Sequence, residues 1–429
     1  MTRVLLTGGS GFIAAHTLDI LLEHGHSVVT TVRTQEKADK IKESYKSYVD
    51  KGQLGFAIVP DIAQPEAFEK AVVSDPPFEA VLHTASPFHF NVTDVQKDLI
   101  DPAVIGTTGI LKSIKKSAPS VRSVVITSSF AAIVDGSKGF WPGHAYSEED
   151  WNPMTQEQAQ ENPMMGYRAS KTFAERAAWE FVKKEQPNFS ISTINPPMVF
   201  GPIVHPLDSL ESMNTSNQRI LSAAQGKFKD EIPPSGVHLW VDVRDVALAH
   251  VAALEKPEAA NKRFFVTAGY FSNREMCQII KKNFPEFKDL PSDSTAGGDY
   301  PEGTPDKGLY SYNNKRSVDI LEQFVQFYYK TFDDNRPGLA SLYKENSMLT
   351  FEAQGTQGSA AIVEKLQNLP FQQIQHRTDT VDAQPSAEDG IMVLVTARRR
   401  GKANELHTDF SAQERRWQLV CSHSELDFT

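Results

Sequence analysis

The sequence predicts an α/β protein with a doubly wound parallel sheet and a small additional lobe, followed by an incomplete α+β domain. Three observations carry this prediction. Short runs rich in Val, Ile and Leu alternate with helical segments up to about Pro202. A glycine-rich turn joins the first of these runs to the first helix. The alternation stops after Pro202, and the pattern changes again near Leu321.

Six runs in the first part of the chain are expected to be buried parallel strands, because they lack the polar alternation of strands with one face in water. They are Arg3–Thr7, Ser27–Val32, 55–59, Ala80–His83, Ser123–Thr127 and Ser190–Ile194. The first helix is expected over 12–24, with Gly25 as a left-handed cap. Strand, helix and strand repeated in this way predict a sheet covered by helices on both faces.

After about Pro202, segments rich in Pro, Gly, Asn and Ser alternate with short elements. We expect a smaller, substrate-facing lobe here, formed approximately by residues 202–235 and 268–318, within one domain over 1–321. Beyond it the sequence predicts a helix over 315–332, a run Met348–Phe351, a helix over 359–369, and alternating runs over 372–383 and 391–397. Helices followed by antiparallel-type alternation predict a separate domain over 322–429.

Composition excludes several classes of protein. Lys and Arg number 44 against 54 Asp and Glu, and the net charge of −10 argues against a large nucleic-acid-binding surface. Cys277 and Cys421 cannot build a disulfide framework or a CxxC metal site, which fits a reducing compartment. We find neither a signal-peptide core nor the ~20 apolar residues of a membrane span. We therefore expect a soluble cytoplasmic protein without a membrane partner, with the nucleus as an additional location.

The turn after the first strand has the composition of a phosphate-binding loop. Its residues, with the first two of the helix, are Gly8, Gly9, Ser10, Gly11, Phe12 and Ile13. Small residues let the backbone approach a pyrophosphate, and the helix N-terminus offers N–H groups and a partial positive charge. Between a strand and a helix, this turn predicts dinucleotide binding on a Rossmann sheet rather than an ordinary tight turn.

The end of the second strand indicates which dinucleotide is bound. An Asp or Glu about 20 residues after the glycine motif usually meets a ribose 2′-hydroxyl. Here the strand ends at Val32 and Arg33 instead, and Lys37 follows. Two cations suit a 2′-phosphate, so NADP(H) is favoured over NAD(H). Solvated surface cations are the alternative interpretation.

Tyr167 and Lys171 are four residues apart on a predicted helix and so project from the same face. A free phenol has a pKa near ~10, too high for efficient proton exchange at neutral pH. We expect the Lys171 ammonium to favour the phenolate and so to lower the pKa of Tyr167. Ser129 follows the fifth strand, at the edge of the sheet where ligands bind. Tyr167 and Lys171 alone would be typical of a helix surface, but with the serine and the glycine turn they predict a catalytic site.

These motifs make residues 1–321 resemble the extended short-chain dehydrogenase/reductase family. Within it the chain is similar to fungal NADPH-dependent aldehyde and ketone reductases, of the methylglyoxal/3-methylbutanal type, and to dihydroflavonol reductases. The matching stretches are TGGSGFIAAH, VRTQEKA, PDI, LHTASPF, ITSSFAAI, YRASKTFAE, NPPMVFGP and VDVRDVALAH. The resemblance implies hydride transfer from NADPH to an aldehyde or ketone. Ser129 would bind the carbonyl, Tyr167 would protonate it, and Lys171 would bind the nicotinamide ribose.

The resemblance implies further contacts with the cofactor. The residues at these positions are Asp61, Ile62, Thr84, Pro196, Val199 and Ser216. Phe88, Phe130 and Met198 fall where the family places its substrate pocket, with ordinary core packing as the alternative. Asp242 and Arg244 match a motif in which an ion pair is expected.

No metal is expected, because the spacing of the histidines carries no ligand pattern. His83, His89, His144 and His250 share neither HxxxH nor HxH spacing with one another. We interpret them as structural histidines with satisfied ring nitrogens.

The C-terminal part resembles nuclear transport factor 2 over about 322–397. The matching stretches include FVQFYY, SMLTFE, AIVEKLQNLPFQQIQHRTDTVDAQPS and GIMVLV. The resemblance implies a cone-shaped α+β domain that forms a homodimer through its sheet and binds Ran-GDP and nucleoporin repeats, with Glu352 facing Ran. After Ala397 the acidic hairpin loop and the closing strands of that family are missing. We therefore expect an incomplete domain with one unpaired sheet edge.

Two functions of different classes are compatible with these patterns. One is an NADPH-dependent carbonyl reductase with a passenger module, and the other is a nuclear-transport module with a reductase-fold carrier. Completeness favours the reductase, because every expected catalytic group is present in it. A hydroxysteroid dehydrogenase is a weaker alternative on the same fold, and the apolar pocket positions argue against a sugar-nucleotide epimerase.

Overall fold

A computed structural model describes residues 1–86, 92–207, 209–321, 336–337, 348–351, 354–368, 375–385, 391–400 and 417–421. Phe88, His89 and Glu352 lie outside these residues, as does the predicted helix over 315–332 beyond Leu321. The chain divides into two compact units. One comprises Met1–Leu22 and His26–Ile320, and the other comprises Glu23–Gly25 and Leu321–Thr429.

The strands of the first unit belong to one large sheet and two small ones. They are β1 (Arg3–Thr7), β2 (Ser27–Val32), β3 (Leu54–Ile58), β4 (Ala80–His83), β5 (Ser123–Thr127), β6 (Ala145–Tyr146), β7 (Ser190–Ile194), β8 (Met198–Phe200), β9 (Leu239–Asp242), β10 (Arg263–Phe264), β11 (Gly269–Tyr270) and β12 (Ser311–Tyr312). The large sheet has seven parallel strands in the order β10-β7-β5-β4-β1-β2-β3. The small sheets have the orders β11-β9-β8 and β12-β6.

Helices connect these strands. They are α1 (Phe12–Glu23), α2 (Gln35–Ser44), α3 (Lys46–Asp50), α4 (Asp101–Ser117), α5 (Gln156–Ala159), α6 (Pro163–Glu185), α7 (Thr215–Ala224), α8 (Val243–Glu255), α9 (Asn273–Asn283), α10 (Pro305–Gly308) and α11 (Lys315–Leu321). In the part of the chain that the structure describes, no helix is both long and apolar enough to cross a membrane. The cytoplasmic location stays a prediction.

The predicted doubly wound parallel sheet is confirmed. Five of the six predicted strands have the predicted bounds, and the remaining one, β3, begins at Leu54 and ends at Ile58. Helix α1 ends at Glu23, and Gly25 has a φ of +76°, as its predicted role as a left-handed cap requires. The strand order reverses between β1 and β4, which is where a doubly wound sheet opens a crevice for ligands.

The core explains why the central strands are apolar throughout. Leu5 of β1, Val81 of β4 and Val124 of β5 are fully buried and share one cluster with Ile110 and Ile114 of α4. Burial of each such side chain contributes roughly 1.5–3 kcal/mol. Because helices cover both faces of the sheet, these strands lack the polar alternation of strands with one face in water.

A separate group of buried side chains lies in the two segments that the sequence assigns to a smaller lobe. Ala223 of α7 packs with Phe228 and Ile232, and Cys277 and Ile280 of α9 belong to the same cluster. Ile232 also forms a β-bridge with Gly297. These contacts join the segments on either side of β9 into one apolar cluster.

The described strands of the second unit are antiparallel. They are β13 (Met348–Phe351), β14 (Gln354–Gln357), β15 (Gln375–Pro385), β16 (Ile391–Arg400) and β17 (Trp417–Cys421), with helix α12 (Ser359–Gln367) between β14 and β15. β13 pairs with β14, and β16 lies between β15 and β17.

The expectation that no closing strand follows Ala397 is wrong. Strand β16 continues to Arg400, and β17 pairs with its first half, Ile391 opposite Cys421 and Val395 opposite Trp417. The segment WQLVC has the aromatic and branched residues that favour strands, so the tail supplies a pairing partner for β16.

Candidate active site

The glycine turn after β1 is built by two steric restrictions. Gly8 has a φ of +80°, and a Cβ there would lie 3.0 Å from the Cα of Ala85. A Cβ on Gly9 would lie 2.0 Å from the Oγ1 of Thr30. The Gly11 N–H donates to the Gly8 carbonyl at 2.8 Å and closes the turn immediately before Phe12 begins α1. One side of the turn therefore packs tightly against Ala85 and Thr30. Its other side presents backbone atoms, as a phosphate-binding loop requires.

Thr84 connects this turn to the neighbouring strand β4. Its hydroxyl donates to the Thr7 carbonyl at 2.5 Å, and the Ala85 N–H donates to the Thr7 hydroxyl at 3.1 Å. The glycine turn and Thr84 thus lie together at the crevice between β1 and β4. Ser10, Gly11 and Ile13 keep part of their surface exposed there, whereas Phe12 is buried.

The two cations expected to select the dinucleotide follow β2. Arg33 is exposed just beyond the strand, and Lys37 lies in the first turn of α2, which Thr34 caps. Asp61 accepts hydrogen bonds from Gln64 at 2.7 Å and from the Ala63 N–H at 2.9 Å. These bonds, and more weakly the charge of Arg33, lower the pKa of Asp61. The structure therefore brings Arg33 and Asp61 near each other at the open end of the crevice, where the residues present fit a phosphorylated ribose.

Helix α6 carries the predicted proton donor. Asn162 caps its N-terminus by accepting from the Met165 N–H at 3.0 Å, and Pro163 occupies the first helical position. One turn later, Tyr167 is partly buried and forms a side-chain hydrogen bond with Ser129. Ser129 is placed by a 3₁₀ turn, because its Oγ accepts from the Ala131 N–H at 3.1 Å. The structure thus joins two of the three predicted catalytic side chains directly.

The pKa of Tyr167 departs from the expectation. Burial raises it, and the hydrogen bond with Ser129 opposes that rise without cancelling it. The expected lowering by Lys171 is therefore wrong in direction for the protein alone, since desolvation of the phenolate outweighs the favourable contacts.

Lys171 lies one turn further along α6 and is also partly buried. Its Nζ donates to the Ser86 hydroxyl at 3.0 Å, and burial lowers its pKa to about 8. The ammonium faces a cavity whose walls include Ser86, Thr127 and Ser128. A buried cation beside hydroxyl groups can bind the hydroxyls of a sugar, which is the role that the resemblance implies for it.

Pro196, Val199 and Ser216 lie where the chain leaves β7. The Val199 N–H donates to the Ser216 hydroxyl at 3.1 Å, which ties β8 to the first turn of α7. The Pro196 carbonyl accepts from the Phe130 N–H at 2.8 Å. These three residues therefore hold the segments on either side of the Ser129 turn.

Of the predicted substrate-pocket residues, the structure describes Phe130 and Met198. Phe130 is 2% exposed, stacks on Phe265 with ring centroids 5.0 Å apart, and meets Tyr146 edge-on. Its contacts are those of the core, which favours the alternative of ordinary packing. Met198 is partly exposed at the start of β8 and stays a candidate. Phe88 lies outside the described residues.

The expected ion pair at the start of α8 is present. Arg244 donates to both carboxylate oxygens of Asp242, at 2.9 and 2.8 Å, and Asp242 also caps the helix. Asp245 is buried nearby, and its pKa is raised to about 7 by burial. The role of this motif is structural.

The described histidines are held by hydrogen bonds. His250 contacts the Val246 carbonyl at 2.7 Å and Thr127 at 2.6 Å, and burial lowers its pKa to about 4. The Nδ1 of His83 contacts Thr7 at 2.9 Å, and burial lowers the pKa of this ring to about 3. Its Nε2 is buried without a hydrogen-bond partner among the described residues, so the expectation of satisfied ring nitrogens is wrong for His83. His26 accepts from the Thr2 N–H at 3.2 Å, so its other nitrogen donates to Glu255 at 2.9 Å.

Glu175 is a residue of this region that was not predicted from the sequence. It lies one turn beyond Lys171, is buried, and forms an ion pair with Arg263 at 2.6 Å. The signal available was spacing, because residues 167, 171 and 175 continue one series of four along the same face of α6.

Comparisons with known proteins agree with this geometry. The family model of the NAD dependent epimerase/dehydratase family matches residues 4–268. The model of the nuclear transport factor 2 domain matches residues 320–413, so that resemblance extends past Ala397, where we expect it to end.

Relatives of the chain include characterised reductases. The ketoreductase azaE of Aspergillus niger is 45% identical over 322 residues, which cover 74% of this chain and 92% of the relative. The yeast methylglyoxal/isovaleraldehyde reductase Gre2, solved with NADPH, is 36% identical with a TM-score of 0.66, covering 74% of this chain and 92% of that one. Gre2 of Candida albicans, also solved with NADPH, is 37% identical with a TM-score of 0.67, covering 75% and 93%. The predicted resemblance is confirmed, and the chain belongs to the NAD dependent epimerase/dehydratase family.

Proposed function

We propose that the protein reduces aldehydes or ketones to alcohols with NADPH. The observation that carries the proposal is the hydrogen bond between Tyr167 and Ser129, one helical turn from the partly buried ammonium of Lys171. The glycine turn lies at the same edge of the sheet. The similarity to reductases that are named for NADPH and for carbonyl substrates supports the reaction and the cofactor.

The chain's own residues would bind the carbonyl and deliver a proton. Bound NADPH supplies the hydride that adds to the carbonyl carbon. Ser129 holds the carbonyl oxygen by a hydrogen bond, and Tyr167 gives its phenolic proton to that oxygen as negative charge develops there. The raised pKa of Tyr167 suits this role, because the phenol stays protonated until a much stronger base, the forming alkoxide, takes the proton. The Lys171 ammonium and the Ser129 hydroxyl then stabilise the phenolate.

Arg33 and Lys37 would hold the 2′-phosphate that distinguishes NADPH from NADH. Both follow β2, and Arg33 is exposed, so its guanidinium is accessible for paired hydrogen bonds to phosphate oxygens. The backbone of the glycine turn would accommodate the pyrophosphate.

The proposal is tested by following NADPH oxidation with methylglyoxal, 3-methylbutanal, aromatic ketones and a steroid ketone, the last for the hydroxysteroid alternative. Tyr167→Phe is expected to lower kcat by roughly 10²–10⁴-fold, the contribution of general acid catalysis, and to leave the Kd of NADPH nearly unchanged. Tyr146→Phe is the control, because Tyr146 is a buried tyrosine of the same unit whose hydroxyl contacts Asp135 instead of Ser129. Undiminished turnover in Tyr167→Phe would exclude the proposed proton donor.

The C-terminal unit carries separate proposals. Binding of Ran-GDP or nucleoporin repeats, and a homodimer formed through this unit, are supported by the family-model match over residues 320–413. Sedimentation of the full chain, alone and with Ran-GDP, tests both. A cytoplasmic location, with the nucleus as an additional one, fits this combination.

A further inference from the structure

The carboxylate of Glu175 is buried where α6 meets the turn that carries Ser129. Its side chain is 1% exposed and accepts five hydrogen bonds. The donors to Oε1 are Arg263 Nε at 2.6 Å, Thr193 Oγ1 at 3.0 Å and Trp179 Nε1 at 3.2 Å. The donors to Oε2 are Asn195 Nδ2 at 2.7 Å and the Ser128 hydroxyl. The two oxygens therefore have different neighbours.

The neighbours of Oε2 lead directly to Ser129. Ser128 precedes it in the chain, and the Asn195 side-chain amide also contacts the Ser129 carbonyl at 3.3 Å. One carboxylate oxygen thus holds the Ser129 turn by two routes, through the side chain before it and through its own carbonyl. On the Oε1 side, Arg263 secures the carboxylate itself, because Arg263 is in turn fixed to the carbonyls of Glu148 and Asp150 at 2.6 Å each.

Glu175 lies on the same helix as the proton donor. Residues 167, 171 and 175 of α6 are spaced by four, so Glu175 stands roughly 12 Å along the helix axis from Tyr167. A rigid helix that carries both the phenol and the anchor of the serine turn fixes the position of one relative to the other.

We propose that Glu175 is a positioning residue, which holds Ser129 at hydrogen-bonding distance from Tyr167 through Ser128 and Asn195. The inference rests on the proposed function, because it assumes that Ser129 acts in carbonyl reduction. It assigns to the buried ion pair with Arg263 a role in alignment of the site. A carboxylate is required, because glutamine would turn one acceptor oxygen into a donor amide that faces other donors.

Two matched variants test whether the hydrogen bonds to Oε2, and not those to Oε1, act through Ser129. Ser128→Ala and Trp179→Phe each remove one hydrogen bond to the carboxylate, but only Ser128 leads to Ser129. We expect Ser128→Ala to lower kcat on the order of 10-fold, because small misplacements of a reacting group are costly, while the Kd of NADPH stays the same. Trp179→Phe is expected to keep its kcat. Equal kcat values in the two variants would overturn the proposal. If Ser128→Ala does not fold, Asn195→Ala makes the same comparison.

A double-mutant cycle separates positioning from a general structural effect. If Ser128 acts through Ser129, Ser128→Ala lowers kcat in the wild type but causes no further loss in the Ser129→Ala background. An equal loss in both backgrounds would show that Ser128→Ala disturbs the site by another route and would refute the inference alone. A full kcat in Ser129→Ala itself would refute the proposed role of Ser129 in the reaction.

Discussion

Burial sets the protonation of both groups on the face of α6 that carries the chemistry. It raises the pKa of Tyr167 and lowers the pKa of Lys171 to about 8, because each charged form loses its hydration in the interior. The phenol therefore holds its proton more firmly than in water, and the ammonium holds its proton less firmly. The Lys171 ammonium is needed for the reaction, but its desolvation lowers the stability of the folded protein.

Lys171→Met is expected to raise the free energy of unfolding of the cofactor-free protein while it removes activity. The lowering of the Lys171 pKa from 10.5 to about 8 corresponds to roughly 3 kcal/mol that opposes folding. The unfolded chain keeps this proton up to about pH 10.5, whereas the folded protein releases it near pH 8. Stability of the wild type therefore rises between these values, and the opposing contribution is complete only below about pH 8.

Urea unfolding of the wild type and Lys171→Met near neutral pH and at about pH 10 measures this difference. The variant should be more stable near neutral pH, and the difference should shrink at the higher pH. A difference that does not change with pH would contradict a buried ammonium at this position.

Arg33→Ala is expected to raise the KM for NADPH by roughly 10–100-fold and to have little effect on the KM for NADH. The loss corresponds to the free energy of one hydrogen bond between charged groups. Lys42→Ala is the control, because Lys42 is an exposed cation at the other end of α2. Initial rates with both cofactors give the ratio. Parallel losses with NADPH and NADH would show that Arg33 does not read the 2′-phosphate.

At the scale of elements, the glycine turn shows how little space separates β1 from its neighbours. Gly9→Ala is expected to destabilise the fold by about 1–3 kcal/mol through overpacking and to weaken NADPH binding. Thr30→Ala in the same chain removes the Oγ1 that the new methyl group would meet at 2.0 Å, so it should restore part of both losses. Gly52→Ala is the control for the backbone penalty alone, since Gly52, unlike Gly9, has a positive φ, +70°, and a methyl group added there would meet no atom within 4 Å.

Thermal unfolding and fluorescence titration with NADPH measure these effects. Gly52→Ala should lose only about 1 kcal/mol, the usual penalty of a left-handed residue with a side chain. A double variant no more stable than Gly9→Ala would place the strain elsewhere in the turn.

The elements that were predicted well are those whose pattern is local. The parallel strands are continuous apolar runs, and α1 ends at a glycine whose backbone requires a left-handed conformation. Phe130 could not be assigned this way, because Phe265, which stacks on it, lies far away in the chain. The same is true of Glu175, whose partner Arg263 comes from the last strand of the sheet. The role of such a side chain depends on residues that are distant in the chain, so it cannot be predicted from the local sequence.

For the whole molecule, the change of pattern near Leu321 coincides with the boundary between the two compact units. Every described residue of the candidate site lies in the first unit, from Gly8 to Ser216. Strand β17 was not predicted, because it lies after the stretch that resembles nuclear transport factor 2. Its pairing with β16 is visible only in the folded chain. The sequence thus indicated where the architecture changes, and the pairing of the tail required the structure.

A chain that ends at Leu321 is expected to keep the kcat and the NADPH Kd of the full protein. Helix α11 is its last element and completes the first unit, because the Ser317 hydroxyl donates to the Phe265 carbonyl at 2.9 Å and Arg316 pairs with Glu148 at 3.0 Å. A chain that ends at Asn314 loses these contacts, and Glu148 is then left buried without its cation. We therefore expect the shorter chain to unfold at a lower temperature and to lose activity, since buried charges without partners are strongly destabilising.

NADPH oxidation and thermal unfolding of the full chain and of both truncated chains decide the matter. Full activity in the chain ending at Leu321, together with loss in the chain ending at Asn314, would establish the first unit as a complete enzyme whose final helix is essential. Loss of activity in both truncated chains would instead mean that reduction depends on residues after Leu321, and the C-terminal unit could then no longer be regarded as a passenger.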